Sequence, residues 1–382
     1  MVITNQKELD DICKKFSGEN FITIDTEFLR EKTYFPKLCL IQLSDKDKNA
    51  IAIDPLAKDI DLAPLYDLLK NKNVLKVFHA ARQDLEIFYN LTGSVVEPFF
   101  DTQIAAMVLG YGDSVGYENL IRNVTGHQVD KSSQYTNWSH RPLSEKQIHY
   151  ALGDVTHLVD AYLKLSEQLE ERGRTRWVFE EEEILADPAT YENNPREMWQ
   201  KVKIRSPNPK NLAVLRELTA WREERAISKD LPRTWIMRDD TLADIASQSP
   251  KKAEGLKKIR NIPGEFTKGH KAENLIKLIE KGLKTPAQDC PHVVKKKPLP
   301  ANVAAKVDIL KMLLKIKSSE YGVAAKLIAS SDDLEQIAFG ETEGIAALKG
   351  WRAEVFGEDA LAMKDGKIAI GLKDGKIVKI NI

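Results

Sequence analysis

The 382-residue sequence predicts an α/β domain followed by all-helical modules. Three observations carry this. Strand-like and helix-like segments alternate over the first ~200 residues. Proline-rich breaks fall at SPNPKN (206–211) and TPAQDCPHVVKKKPLPAN (285–302). Two later segments, 215–246 and 310–338, resemble each other: DD-x-L-x-x-I-A in the first falls in register with DD-L-x-x-I-A in the second.

The elements follow in order. FITIDTEF, LCLIQLSD and AIAID read as three strands of an antiparallel meander, with an aspartate-rich turn between the last two. LAPLYDLLKN has helical spacing, VLKVFHA reads as a strand, and RQDLEIFYNLTG as a helix closed by Gly93. VVEPFFDTQ is a further strand leading into IAAMVLGYG. A long helix is predicted from Ser144 to about Glu183, with Ser144 and Gln147 as a capping box. The tail KIAIGLKDGKIVKINI carries a hairpin signal at Asp374-Gly375. The expected domains are 1–205, 208–287 and 300–372, the last a diverged copy of the second.

Hydrophobic residues make up 42% and charged residues 30% of the chain, which excludes disordered and fibrous classes. No run reaches the ~20 apolar residues of a membrane span. The N-terminus has no apolar signal core, and the three cysteines are scattered. A reducing cytoplasm is therefore expected, and a disulfide scaffold or a thiolate-based zinc site is not. The net charge of zero hides an asymmetry. Residues 1–200 carry 22 basic and 33 acidic side chains, whereas residues 201–382 carry 35 and 24. That division suits metal chemistry in one half and a polyanion held by the other.

Four acids stand out. Asp25 and Glu27 form D-x-E at the end of FITI, and residues i and i+2 of a strand face the same side. Like charges placed together call for a cation. Asp84 starts a helix just past a strand, and Asp154 lies inside the long helix. An all-oxygen set suits Mg²⁺ or Mn²⁺, and two such ions can activate water and stabilise a leaving phosphodiester oxygen. Tyr150, four residues before Asp154, lies about 40° from it around the helix. It is placed to orient the attacking water, or to act as a general base if its pKa is lowered. Taken singly, each motif is more often an N-cap or a surface pair; together and in this order they point to a site.

ITIDTEF, HAARQDLEIF and YALGDVTHL resemble the three motifs of the DEDD superfamily of 3′→5′ exonucleases. DTEFLREKTYFPKLCLIQLSD, FFDTQIAAM and WSHRPLSEKQIHYALGDV resemble the ribonuclease D family within it. The resemblance covers residues 1 to about 205. It implies an RNase-H-like fold, two divalent ions on Asp25, Glu27, Asp84 and Asp154, and trimming of RNA 3′ ends, including tRNA precursors. Segments 208–285 and, more weakly, 300–372 resemble HRDC domains, which are helical nucleic-acid-binding modules; the second lacks a counterpart of LPRTW (231–235). The superfamily divides by a tyrosine four residues, or a histidine five residues, before the last Asp. Tyr150 and His149 satisfy both spacings. His149 would point about 140° away from Asp154, so Tyr150 is favoured.

Phe28 is a candidate for stacking on the terminal base, and Arg141 for gripping a phosphate. Packing or hydrogen bonding is expected of His79, and helix capping of Asp101. The lysines at 251–258 and 295–297 are expected to form a solvated face that also attracts RNA backbone. A fragment ending near residue 205 is expected to keep hydrolytic activity. The reading is a metal-dependent 3′→5′ exoribonuclease releasing nucleoside 5′-monophosphates, with no obligate protein partner implied. The alternatives are a single-strand DNA exonuclease, which the 2′-OH would distinguish, and a non-catalytic RNA-binding protein.

Overall fold

Strand β1 (Val2–Ile3) leads into helix α1 (Gln6–Phe16). Asn5 caps α1 by accepting from the Glu8 N–H, and its buried residues Leu9, Cys13 and Phe16 recur at helical spacing. The structure, a computed structural model, describes residues 1–130, 133–134, 136–292 and 298–382. The lysines at 295–297 therefore lie outside the described residues. β2 (Phe21–Leu29), β3 (Lys37–Ser44), β4 (Ala50–Ile53), β5 (Leu75–Phe78) and β6 (Phe99–Asp101) complete a six-stranded sheet in the order β1-β4-β3-β2-β5-β6. β3 and β4 are antiparallel, while β1 joins β4 in parallel, so the sheet is mixed. β2 pairs with β5, and β5 with β6, both in parallel. These three strands therefore end on one edge, where open α/β sheets place their sites. Helices α2 (Ala63–Lys70), α3 (Arg82–Thr92), α4 (Thr102–Leu109), α5 (Tyr117–Thr125), α6 (Glu145–Glu171) and α7 (Thr175–Ala186) accompany the sheet. The helical stretch expected over 144–183 is two helices. Gly173, at φ +63°, takes a left-handed turn that ends α6 before α7 begins.

Two compact units divide the chain. One comprises Met1–Glu27, Leu38–Thr190 and Lys297–Ile382; the other comprises Phe28–Lys37 and Tyr191–Lys296. The second holds α8 (Pro209–Lys229), α9 (Arg233–Ile236), α10 (Asp239–Gln248), α11 (Ala253–Leu256) and α12 (Gly269–Lys284) around Leu215, Leu218, Leu242, Phe266 and Leu275. It begins at residue 191, not at the 206–211 break, because Trp199 and Val202 pack into this core. The segment 28–37 is anchored here as well. Asp230 accepts from the Tyr34 and Phe35 N–H groups at 3.0 Å. The buried Glu223 carboxylate takes Arg233 and the Tyr34 hydroxyl. Because Arg233 and Tyr34 supply its hydrogen bonds, Glu223 is held below the ordinary carboxylate range despite its burial.

The final stretch comprises α13 (Ala301–Tyr321), α14 (Ala325–Ile328), α15 (Ser331–Phe339), α16 (Gly350–Arg352), a π-helical turn (Ala353–Gly357) and α17 (Glu358–Lys364). Its first three helices have 21, 4 and 9 residues, against 21, 4 and 10 in α8–α10. β7 (Ile368–Lys373) and β8 (Lys376–Asn381) form the expected hairpin, with Asp374 and Gly375 both at positive φ. This stretch is part of the first unit. Trp351, fully buried, stacks on Trp177 of α7 with ring centroids 4.6 Å apart. Its indole N–H donates to Glu181 at 2.9 Å, and Arg352 pairs with the same carboxylate. Gly350 is left-handed and lies so close to Glu180 that a Cβ would collide with the carboxylate.

A fragment ending near 205 should be less stable than the full chain. That cut would expose Trp177 and strip the nearly buried Glu181 of both partners, a costly state for a charge. Trp351→Ala in the full chain should destabilise by about 3–5 kcal/mol. A urea titration followed by circular dichroism measures it; an unchanged midpoint would mean that the stack contributes nothing.

Candidate active site

Asp25 and Glu27 project from the second half of β2, and Asp154 from α6. One carboxylate oxygen from each lies within 4.8 Å of the other two. Period-2 alternation aligns the first two, and the capping box at Ser144 and Gln147 sets the start of the helix that brings the third. Asp84 lies in the first turn of α3, beyond the end of β5. It stands outside that group of three but acts on Asp25 and Glu27 electrostatically, and Thr26, between those two, donates its hydroxyl to the Asp84 carboxylate.

Burial first, and then the like charges of Asp25, Asp154 and Asp84, push the Glu27 carboxyl from 4.5 up to about 10. Burial pushes Asp25 up to about 7. Burial and then Asp25 raise both Asp84 and Asp154. This cost is what a hard divalent cation removes, and an all-oxygen donor set fits one. A carboxyl whose folded pKa is raised contributes stability while protonated. That contribution is complete below the unfolded pKa near 4 and is lost as pH rises through the folded value. In EDTA, the wild-type melting temperature should therefore fall between pH 5 and 8 more steeply than that of Asp25→Asn. Parallel curves would exclude this origin of the pH dependence.

The Tyr150 phenol lies beside the Asp154 carboxyl and acts to lower its pKa against the burial that raises it. Burial and then the Asp154, Glu27 and Asp25 charges raise the Tyr150 pKa above that of a free phenol. In these surroundings it is a proton-bearing donor, so the lowered pKa considered for a general base is not present in the metal-free protein. Trp138, 2% exposed, packs beside the phenol with ring centroids 6.1 Å apart. His149 is exposed, as the helical phase predicts.

Tyr117 was not anticipated. Its hydroxyl donates to the Asp154 main-chain carbonyl. With Tyr150, Asp154, Asn119 and Gln134 it lines a cavity of about 160 Å³. The signal available was weak: a tyrosine after Gly116 at a helix start. His79 fulfils its hydrogen-bonding role, with Nδ1 3.0 Å from Thr102 Oγ1. Asp101 caps α4 by accepting from Gln103 N–H at 2.8 Å.

Arg141 has a different role from the one expected. Its Nε and Nη2 donate bidentately to Asp54 at 2.6 Å, and its remaining N–H groups reach the carbonyls of Cys39, Trp138 and His140. All five donors of the guanidinium are engaged, leaving none for a phosphate. The residue secures the loop that carries Trp138. Phe28 is half-buried, next after Glu27 in β2.

A mixed sheet that gathers carboxylates at the ends of its parallel strands, with a tyrosine one turn before the last acid, defines the 3′→5′ exonuclease class. The family described as 3'-5' exonuclease matches residues 1–170, and the HRDC domain family matches residues 211–279. The chain is 44% identical to ribonuclease D of Nitrobacter hamburgensis, covering 100% of this chain and 99% of that one. It is 46% identical to ribonuclease D of Bartonella henselae, covering 96% and 90%. The crystal structure of Escherichia coli RNase D, described as an exoribonuclease involved in structured RNA processing, superposes with a TM-score of 0.82. It is 28% identical and covers 95% of this chain and 98% of that one. The chain belongs to the ribonuclease D family. Among the described residues no helix is long and apolar enough to cross a membrane.

Proposed function

We propose that this chain, a 3′→5′ exoribonuclease by family, removes nucleoside 5′-monophosphates one at a time from RNA 3′ ends, tRNA precursors among them, in the cytoplasm. The observation that carries the reading is the convergence of Asp25, Glu27 and Asp154 within 4.8 Å, with Asp84 adjoining. These four would hold two divalent ions, Mg²⁺ or Mn²⁺. Ions bound there would supply Lewis acidity to a scissile phosphate and activate a water. Tyr150, its ring beside Trp138, would hold an attacking water in line by a hydrogen bond from its hydroxyl. Tyr117 fixes the α6 backbone behind Asp154. Phe28 stacks on the terminal base. Incubation of 3′- and 5′-labelled RNA and DNA oligonucleotides with Mg²⁺ or EDTA tests polarity, sugar preference and metal need together. Cleavage in EDTA, or stepwise shortening from the 5′ end, would refute the reading.

We assign an exonuclease segment to 1–205 and HRDC domains to 208–287 and 300–372, with residues 191–205 of the first segment packing into the core of the first HRDC domain. The first HRDC domain supplies the electrostatic grip: Lys251, Lys252, Lys257 and Lys258 are all exposed. Phosphate contacts release counterions, so each one lost should flatten the log–log salt slope of single-strand binding by about 0.7. Replacing all four lysines with alanine should weaken RNA binding and flatten the slope, with little change in kcat. An unchanged slope would mean that this face is merely solvated.

A further inference from the structure

The carboxylate of Asp101 does more than cap α4. It is 3% exposed, at the end of β6. Oδ1 accepts from Ala80 N–H at 2.9 Å as well as from Gln103 N–H, and Oδ2 accepts from Ala81 N–H at 2.8 Å. Ala80 is left-handed, at φ +58°, a conformation that disfavours any residue with a Cβ. The two hydrogen bonds hold the chain in that turn as it leaves β5. Ala81 is the N-cap of α3, and Asp84 is the third residue of that helix. The Asp101 N–H in turn donates at 2.6 Å to Oε1 of Glu182, which is 4% exposed on α7. The neighbouring Glu181 is the residue that receives Trp351 and Arg352.

We propose that Asp101 is a positioning residue for Asp84, setting the turn from which α3 presents that carboxylate to the metal, and that Glu182 secures Asp101. The proposal rests on the reading of Asp84 as a ligand. Partners behind a metal ligand typically govern affinity by about 10–100-fold. Asp101→Asn keeps the size of the side chain but turns one acceptor into a donor facing an N–H. Glu182→Leu removes an acceptor, whereas Glu182→Gln retains one.

The test is Mn²⁺ binding to the metal-stripped full-length chain, read by the electron paramagnetic resonance signal of free Mn²⁺, with circular dichroism as the check on folding. Asp101→Asn should bind Mn²⁺ about tenfold or more weakly. Glu182→Leu should follow in the same direction, and Glu182→Gln should recover most of the loss. If Asp101→Asn fails to fold, the Glu182 pair decides. Wild-type affinity in both Asp101→Asn and Glu182→Leu would overturn this proposal alone. A wild-type chain that binds no Mn²⁺ would overturn the metal-site reading and this proposal with it.

Discussion

Asp25→Asn should reduce turnover by on the order of 10³-fold or more while leaving the fold intact. Stabilisation of transition-state charge by a bound metal is worth several kcal/mol, and each 1.36 kcal/mol is tenfold in rate. The amide keeps the shape of the side chain and loses the ligand charge. Its effect on the metal-free protein should be opposite in sign. Asp25 is among the charges that raise Glu27, Asp84 and Asp154, so neutralising it relieves repulsion. The variant should melt higher than wild type in EDTA at pH 8 and gain less from added Mg²⁺. Single-turnover cleavage of a labelled oligonucleotide, with melting curves at several Mg²⁺ concentrations, measures both. Near-normal turnover at saturating Mg²⁺ would remove Asp25 from the ligand set.

Tyr150→Phe should slow cleavage by roughly 10²–10⁴-fold, the usual cost of losing a positioned proton donor or acceptor, with RNA affinity nearly unchanged. The ring still packs beside Trp138, so only the hydroxyl beside Asp154 is lost. His149→Ala is the matched control. Its imidazole is exposed and its helical phase carries it away from Asp154, so activity should stay within about twofold. Loss of activity in the histidine variant, with retention in the tyrosine variant, would invert the assignment.

Much of this was legible because it is local or periodic. The D-x-E pair shows its common face through strand alternation, and the four-residue step from Tyr150 to Asp154 through helical phase. The Ser144 capping box and the Asp374-Gly375 hairpin each lie within a few residues of chain. What escaped depends on distant partners. Arg141 resembles any arginine free to take a phosphate, until Asp54, 87 residues earlier, occupies its fork. β1 has two residues and hence no pattern, and its place in the sheet is set by β4. The hydrogen bond from Asp101 to Glu182 spans 81 residues. The Pro-Asn break at 206–211 is genuine turn chemistry, yet the unit starts at 191 because Trp199 and Val202 fit the α8 core. Breaks mark where the chain bends, not which core it joins.

The stacking of Trp351 on Trp177 also constrains synthesis. Domains generally fold as the chain emerges, N-terminal parts first. Here Asp25, Glu27, Asp84 and Asp154 all emerge within the first 154 residues, yet the partners of Glu181 lie at positions 351 and 352. A ribosome-bound chain carrying all four acids still lacks the Trp351 side chain that packs on α7. A chain that ends before residue 351 is therefore expected to leave Glu181 without its two partners and Trp177 without its stack.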